Sequence, residues 1–246
     1  MKLISKFALL MGAVILTATS CKKDDPKPVD PTPKFGMLEI EWEQVWGQNN
    51  AAFSLNTPLT HPVTNDVLTF TTFKYYVSNI KLKKTDGTWY VVPNSYYLID
   101  QSVSESQHID LNNVPAGDYT EMEFVMGVDS AMNVSGAQEG ALSPANNMFW
   151  SWTTGYIMIK AEGTSPQSGS GNFAYHLGGF TGATNIVMTR TVSFNGQVLK
   201  IAPGTKPSLH MYTNPARLWH SAGSVSGGST VHMPGAKAKI MADDFN

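Results

Sequence analysis

Phe73-Lys74-Tyr75-Tyr76-Val77-Ser78-Asn79-Ile80-Lys81-Leu82 decides the fold. It contains neither Gly nor Pro and is dense in aromatic and β-branched side chains, which suit a pleated, half-buried surface better than a helix. Working outward, the same chemistry recurs at the start of the body. Leu38, Ile40, Trp42 and Gln44 alternate there with Met37, Glu39, Glu41 and Glu43, a period of two that gives one buried and one solvated strand face. Further strands are predicted at 89–92, 96–99, 108–111, 119–127, 155–161, 173–177, 185–194, 198–201 and 209–212. Asp86-Gly87, Pro115-Ala116-Gly117-Asp118 and Asn195-Gly196 punctuate them as turns. Many short strands at this spacing predict an all-β fold, an antiparallel β-sandwich with long loops and few short helices, with 73–82 and 119–127 as central strands. Ser143-Pro144 starts a short helical turn through Asn147. The Ser/Gly-rich stretches 164–171 and 221–229 read as mobile surface loops. No repeat or internal linker breaks residues 35–246, which read as a single domain.

Composition narrows the chemistry. The 246 residues are 42% hydrophobic, enough for one sizeable core, and 17 Lys and Arg nearly balance 19 Asp and Glu. No basic block tracks phosphates, so nucleic acid is not expected as a partner. Cys21 is the sole cysteine. This removes internal disulfides, Cys-rich zinc sites and Cys nucleophiles from the folded body.

That cysteine has a use outside the fold. Lys2 and Lys6 precede an apolar run, Phe7 to Leu16, which is too short to span a bilayer and has the layout of a secretory signal. Ala18-Thr19-Ser20-Cys21 resembles a bacterial lipobox, so residues 1–20 read as a lipoprotein signal peptide and Cys21 as the lipidated first residue. Residues 21–34 carry Lys22-Lys23-Asp24-Asp25 and then Pro26, Pro28, Pro31 and Pro33, an extended charged tether. Lys23-Asp24-Asp25 resembles the surface-export signal of Bacteroidetes lipoproteins. The expectation is an outer-membrane lipoprotein held by its lipid anchor, on the periplasmic face or at the cell surface.

Enzyme signatures are absent. The sequence has no P-loop and no His-Glu-x-x-His, and Trp219 replaces the first Gly of a nucleophile elbow in Trp219-His220-Ser221-Ala222-Gly223. Asp129-Ser130-Ala131-Met132-Asn133 lacks the alternation and distal Glu of a calcium loop and reads as a turn. No catalytic residue is assigned. The densest stretch is Asn146 to Tyr156, in which Trp150 and Trp152, two apart, face one side of an extended chain. Six histidines and twelve methionines are the remaining metal-binding resource. His210-Met211 and His232-Met233 are adjacent pairs, each able to give one ligand to a common ion if extended.

Several segments together resemble the MbnP family, copper-binding proteins associated with methanobactin uptake, and in particular a Bacteroidetes lipoprotein branch. They are Tyr75-Tyr76-Val77-Ser78-Asn79-Ile80, Val114 to Tyr119, Gly127-Val128-Asp129-Ser130 with Asn133 and Gly136-Ala137, Met148-Phe149-Trp150-Ser151-Trp152 with Gly155-Tyr156, Glu162-Gly163, and Tyr175-His176-Leu177-Gly178-Gly179. They span about 36–245 in order. The resemblance implies a β-rich secreted copper protein in which a diheme partner enzyme of the MauG type oxidises a tryptophan to kynurenine. Cu(I) is then held by that residue with histidines. Carried over, this makes Trp150 or Trp152 the modified position and His176 the leading histidine, with His210 and His232 as candidates for a further ligand. In the branch, a Met-Phe segment ending in His follows the stretch matching Ala242 to Asn246, and these 246 residues do not contain it. The rival expectation is a surface lipoprotein that uses the same sandwich to bind a protein, glycan or small ligand without metal.

Overall fold

The computed structural model describes residues 34–136, 138–151 and 153–245. The signal segment, Cys21, the tether up to residue 33, and Trp152 lie outside the described residues.

Strands are numbered in chain order. A four-stranded sheet contains β1 (Phe35–Trp46), β2 (Ala51–Ala52), β7 (His108–Pro115) and β14 (Ser208–Thr213), with β1 pairing β7 antiparallel and β14 parallel. An eleven-stranded sheet runs in the order β12 (Met188–Ser193), β8 (Gly117–Met126), β4 (Val67–Lys84), β10 (Gly155–Thr164), β11 (Asn172–Gly178), β15 (Thr230–Val231). Short strands β3 (Pro58–Thr60), β5 (Trp89–Val91), β6 (Tyr96–Asp100), β9 (Phe149–Ser151) and β13 (Leu199–Ile201) pair onto it. The fold is all-β, as the period-two patterning predicts, and β4 and β8 are central. The sheets face each other across one core. Trp42 of β1 meets Phe124 of β8 edge-on at 5.1 Å and Tyr75 of β4 at 6.5 Å between ring centroids.

β4 shows how the patterning works and where it breaks. Leu68 and Phe70 are buried, then Phe73 and Tyr75, then Ile80 and Leu82, so the buried parity flips twice. Each flip coincides with a register shift, opposite Glu162/Gly163 on β10 and between Ser78 and Lys81 against β8. A bulge inserts one residue and turns the following side chains to the other face. At the second, Asn79 takes a left-handed backbone (φ 52°), which Asn tolerates better than most residues, and this aims its side chain out of the ladder.

Three expectations change. The turn predicted at Asp129 is a short helix, α1 (Ser130–Asn133), capped by Asp129 Oδ1, which accepts from the Ala131 and Met132 amides. The Ser/Gly-rich loops are pinned rather than free-standing. Ser165 and Ser168 are buried, and so is Val225 in the second loop, where the Val225 amide and the Ser224 hydroxyl both donate to buried Asp66. A buried carboxylate must be hydrogen-bonded, and this loop supplies the donors. The third change is α2 (Ala236–Phe245), which sequence periodicity did not mark. It buries Ala238, Met241, Ala242 and Phe245, with Phe245 edge-on against Phe73 and Tyr75. The Ser143-Pro144 turn forms as expected, with Ser143 Oγ accepting from the Ala145 amide.

Candidate functional site

The site grows from the register of β10, β11 and β15. β11 buries Phe173, Tyr175 and Leu177 and turns Asn172, Ala174 and His176 outward. Lys160 lies opposite His176 on β10, and the Ala174↔Thr230 and Tyr175↔Val231 pairs of the parallel β15 place His232 beside it on the other flank. The two imidazoles therefore meet at the sheet surface. Nδ1 of His176 and Nδ1 of His232 are 3.2 Å apart, with ring centroids at 4.7 Å.

Glu162 decides which nitrogen of His176 is free. It pairs across with Ala174, so it is the diagonal same-face neighbour of His176, and its Oε1 is 2.6 Å from His176 Nε2. Burial would raise the Glu162 carboxyl, but the His176 hydrogen bond and the Lys160 charge outweigh it and hold it below the usual range. An ionised carboxylate only accepts, so Nε2 carries the proton and Nδ1 presents its lone pair. Burial pulls His176 below its ordinary value despite Glu162, and Lys160 acts in the same direction as burial. The ring is thus neutral near pH 7, the form that binds metals. A carboxylate on the distal nitrogen of an imidazole is the arrangement that orients ligating histidines.

Trp150 lies against the same strand, β11. Gly178, two residues beyond His176 on the same strand face, has no room for a Cβ. Such an atom would overlap Trp150 Cζ3, lie 2.8 Å from Trp150 Cη2 and lie 2.7 Å from the Tyr156 carbonyl oxygen. The indole is seated on the β11 backbone, which explains why the Trp-x-Trp-x-x-Gly-Tyr and His-Leu-Gly-Gly segments occur together.

A hydrogen-bonded scaffold holds the β9–β10 hairpin that carries Trp150. Buried Asn133 donates to the Val128 and Asp129 carbonyls at 2.7 and 2.9 Å and accepts from the Tyr156 amide at 2.9 Å. Gly155, at φ 71°, leaves the space that Asn133 Oδ1 fills. Asp129 Oδ2 accepts from Asn79 at 2.9 Å and from the Tyr96 hydroxyl at 2.5 Å. Burial would raise Asp129, and these bonds with the two helix amides hold it low. Ser78 donates to the Gly127 carbonyl, Tyr156 to Leu142 and Tyr76 to Ala141. The segments quoted from 75–80, 127–133 and 155–156 are thus one structural unit.

Of the residues predicted from sequence, the structure brings His176 and His232 together and seats the Trp150 indole on Gly178, two residues further along β11; Trp152 lies outside the described residues. His210 does not join them. It is on β14 with its Nδ1 3.1 Å from Glu41 Oε2, on the outward face of the four-stranded sheet. His176 points outward from the other sheet, across the core. One ion cannot take both. Glu162 and Lys160 were not singled out for a role. Their signal was the spacing of two along a strand that pairs with His176, readable only once the β10–β11 register is fixed.

Residues 35–234 match the family model MbnP. Among solved structures, MbnP from Methylosinus trichosporium aligns over 84% of this chain and 88% of its own, with a TM-score of 0.55 and 15% sequence identity. That identity supports a shared fold. No curated protein matches the sequence.

Proposed function

The chain belongs to the MbnP family, and we propose that it is a non-enzymatic copper-binding protein of the cell envelope, anchored by lipid on Cys21, with the ion between His176, His232 and the Trp150 side chain. The observation that carries this reading is the Nδ1 pair at 3.2 Å, with Glu162 holding the far nitrogen of His176. Two nitrogens bound about 2.0–2.1 Å from one tetrahedral ion stand about 3.3 Å apart. The pair therefore needs little rearrangement to become two ligands, and imidazole suits copper.

In the proposal, Trp150 supplies the third contact once oxidised to kynurenine by a diheme partner. Unmodified indole is a poor ligand because its nitrogen lone pair belongs to the ring. Cleaving the Cγ–Cδ1 bond with one oxygen added to each carbon gives an N-formyl group on Nε1; water then hydrolyses the Nε1–Cδ1 bond, Cδ1 leaves as formate, and Nε1 is freed as an aryl amine. The partner enzyme and its peroxide or oxygen supply the oxidant.

The test is Cu(I) titration with intact mass on membrane-extracted protein coexpressed with a diheme enzyme. The expected result is one tightly held copper, a lipid-modified N-terminus, and kynurenine in place of tryptophan at Trp150, one oxygen gained and one carbon lost, within the tryptic peptide 85–160. Fragmentation separates Trp150 from Trp89 and Trp152 on that peptide. His176→Ala and His232→Ala should each weaken copper at least tenfold, about 1.4 kcal/mol. Copper affinity unchanged in both variants would end the reading and return the protein to ligand binding without metal.

A further inference from the structure

We propose a second metal site on the opposite side of the sandwich, for a borderline divalent ion such as zinc, built from His108, Glu41 and His210 with Glu39. It is separate from the copper reading and uses none of its residues.

The site is a consequence of register. Glu41 of β1 lies opposite His108 of β7 in the antiparallel pair and opposite His210 of β14 in the parallel pair. Leu38, Ile40 and Trp42 point into the core, so Glu39 and Glu41 point outward, with the histidines on the same face. A His-Glu-His row thus crosses three adjacent strands, at the cross-strand spacing where side chains interact directly. Glu39 extends the row one step along β1. Glu39, Glu41 and His108 each offer a ligand atom within 4.8 Å of the others; His210 stands outside that trio and reaches only Glu41, with its Nδ1 3.1 Å from Glu41 Oε2 on the other flank of β1, so its ring must turn toward the trio to join. His108 Nδ1 stands 3.4 Å from Glu39 Oε1.

The donors select the ion. Two imidazoles with one or two carboxylates suit zinc and Cu(II), whereas soft Cu(I) gains little from carboxylate oxygen. Strands give a rigid frame, so Glu39, Glu41 and His108 are already gathered and only the His210 side chain has to rearrange. One group opposes the ion. Lys206 Nζ is 3.3 Å from Glu39 Oε2 and 2.8 Å from Asp110 Oδ1, and its charge repels a dication and competes for Glu39. The site is therefore tuned by Lys206 rather than maximally tight.

The experiment is zinc titration by calorimetry with native mass spectrometry, on the full chain and on His176→Ala/His232→Ala. Zinc alone is the probe. The double variant should retain one zinc, and adding His108→Ala/His210→Ala should abolish it. Glu41→Gln, which keeps the shape of the side chain, should weaken it at least tenfold, and Lys206→Met should tighten it. These side chains are partly exposed, and unchanged circular dichroism will show that the variants fold. If His176→Ala/His232→Ala binds no zinc, or binds zinc that His108→Ala/His210→Ala leaves untouched, the second site is refuted while the copper proposal stands on its own titration.

Discussion

Gly178→Ala tests the seat of the Trp150 indole. The backbone of Gly178 is not left-handed, so alanine brings no conformational strain and the effect isolates space alone. The new methyl would overlap the Trp150 ring edge and stand 2.7 Å from the Tyr156 carbonyl oxygen. The ring can shift, but the carbonyl belongs to β10, whose Ile157 pairs with Gly178, and the ladder resists. Overpacking of this kind costs about 1–3 kcal/mol. In a domain of this size each kcal/mol lowers Tm by about 2–4 °C, which gives a fall of about 2–12 °C. Gly169→Ala is the matched control. It has no positive φ and nothing within 4 Å, and it should stay within about 0.5 kcal/mol of wild type. Measured in a Trp150→Ala background, Gly178→Ala should cost less than in wild type but still something, because the Tyr156 contact persists. Urea denaturation of wild type, Gly178→Ala, Trp150→Ala and the double variant reads the coupling directly. If Gly178→Ala is as silent as Gly169→Ala, the indole is not seated on β11 and its assignment beside His176 fails.

Three more expectations rest on the same region. Asn133→Ala strips partners from the Val128 and Asp129 carbonyls and the Tyr156 amide, so it should cost about 2–4 kcal/mol in urea denaturation, whereas an Asn133→Ala protein within about 0.5 kcal/mol of wild type, the range of an inert surface substitution, would contradict the scaffold role of this buried residue. Copper affinity should be flat above about pH 6.5 and fall below it. The His176 pKa is depressed by burial, so its neutral form, and the stability tied to that form, is fully present above the ordinary histidine value near 6.5 and lost as pH falls through the folded value. Glu162→Gln should lower copper affinity about 10–100-fold by releasing the Nε2 proton from its anion, and a pH series on both proteins measures it.

Much of the architecture was legible because the dominant signal, alternation, is local. The strands at 37–44, 73–82, 119–127 and 173–177 follow from side-chain order alone. The two parity flips inside β4 did not follow, since a bulge is set by the partner strand and leaves only Asn79 as a trace. β9 and β15 were missed for a related reason. Each has three residues or fewer, too short for any period to show, and each exists because a longer neighbour offers a free edge. α2 was missed because its pattern, AKAKIMADDF, carries few apolar residues and its burial comes from docking on Phe73 and Tyr75. The site was half legible. Trp150, His176 and His232 were identified by residue type and resemblance, while Glu162 needed the register, and His210 was grouped with them wrongly because residue type says nothing about which sheet a strand joins.

The placement of His232 rests on a residue with no metal-binding role. β15 pairs with β11 over two residues only, too little to fix an imidazole to the few tenths of an ångström that ligation needs. The missing constraint is upstream. Asp66, buried at 1% exposure, takes the Ser224 hydroxyl at 2.7 Å and the Val225 amide at 2.9 Å, and Tyr175 donates to the Gly228 carbonyl at 2.7 Å. The Ala174 amide then bonds the Ser229 carbonyl at 2.8 Å. These contacts lie at 224–229 and lead directly into Thr230 and Val231, so the segment reaches His232 with its register already set. Tyr175, the neighbour of His176, is one of the clamps. Adjacent residues of β11 thus present one histidine, His176, and through Tyr175 position the other, which ties the metal-binding reading to the Ser/Gly-rich loop that composition alone marks as free.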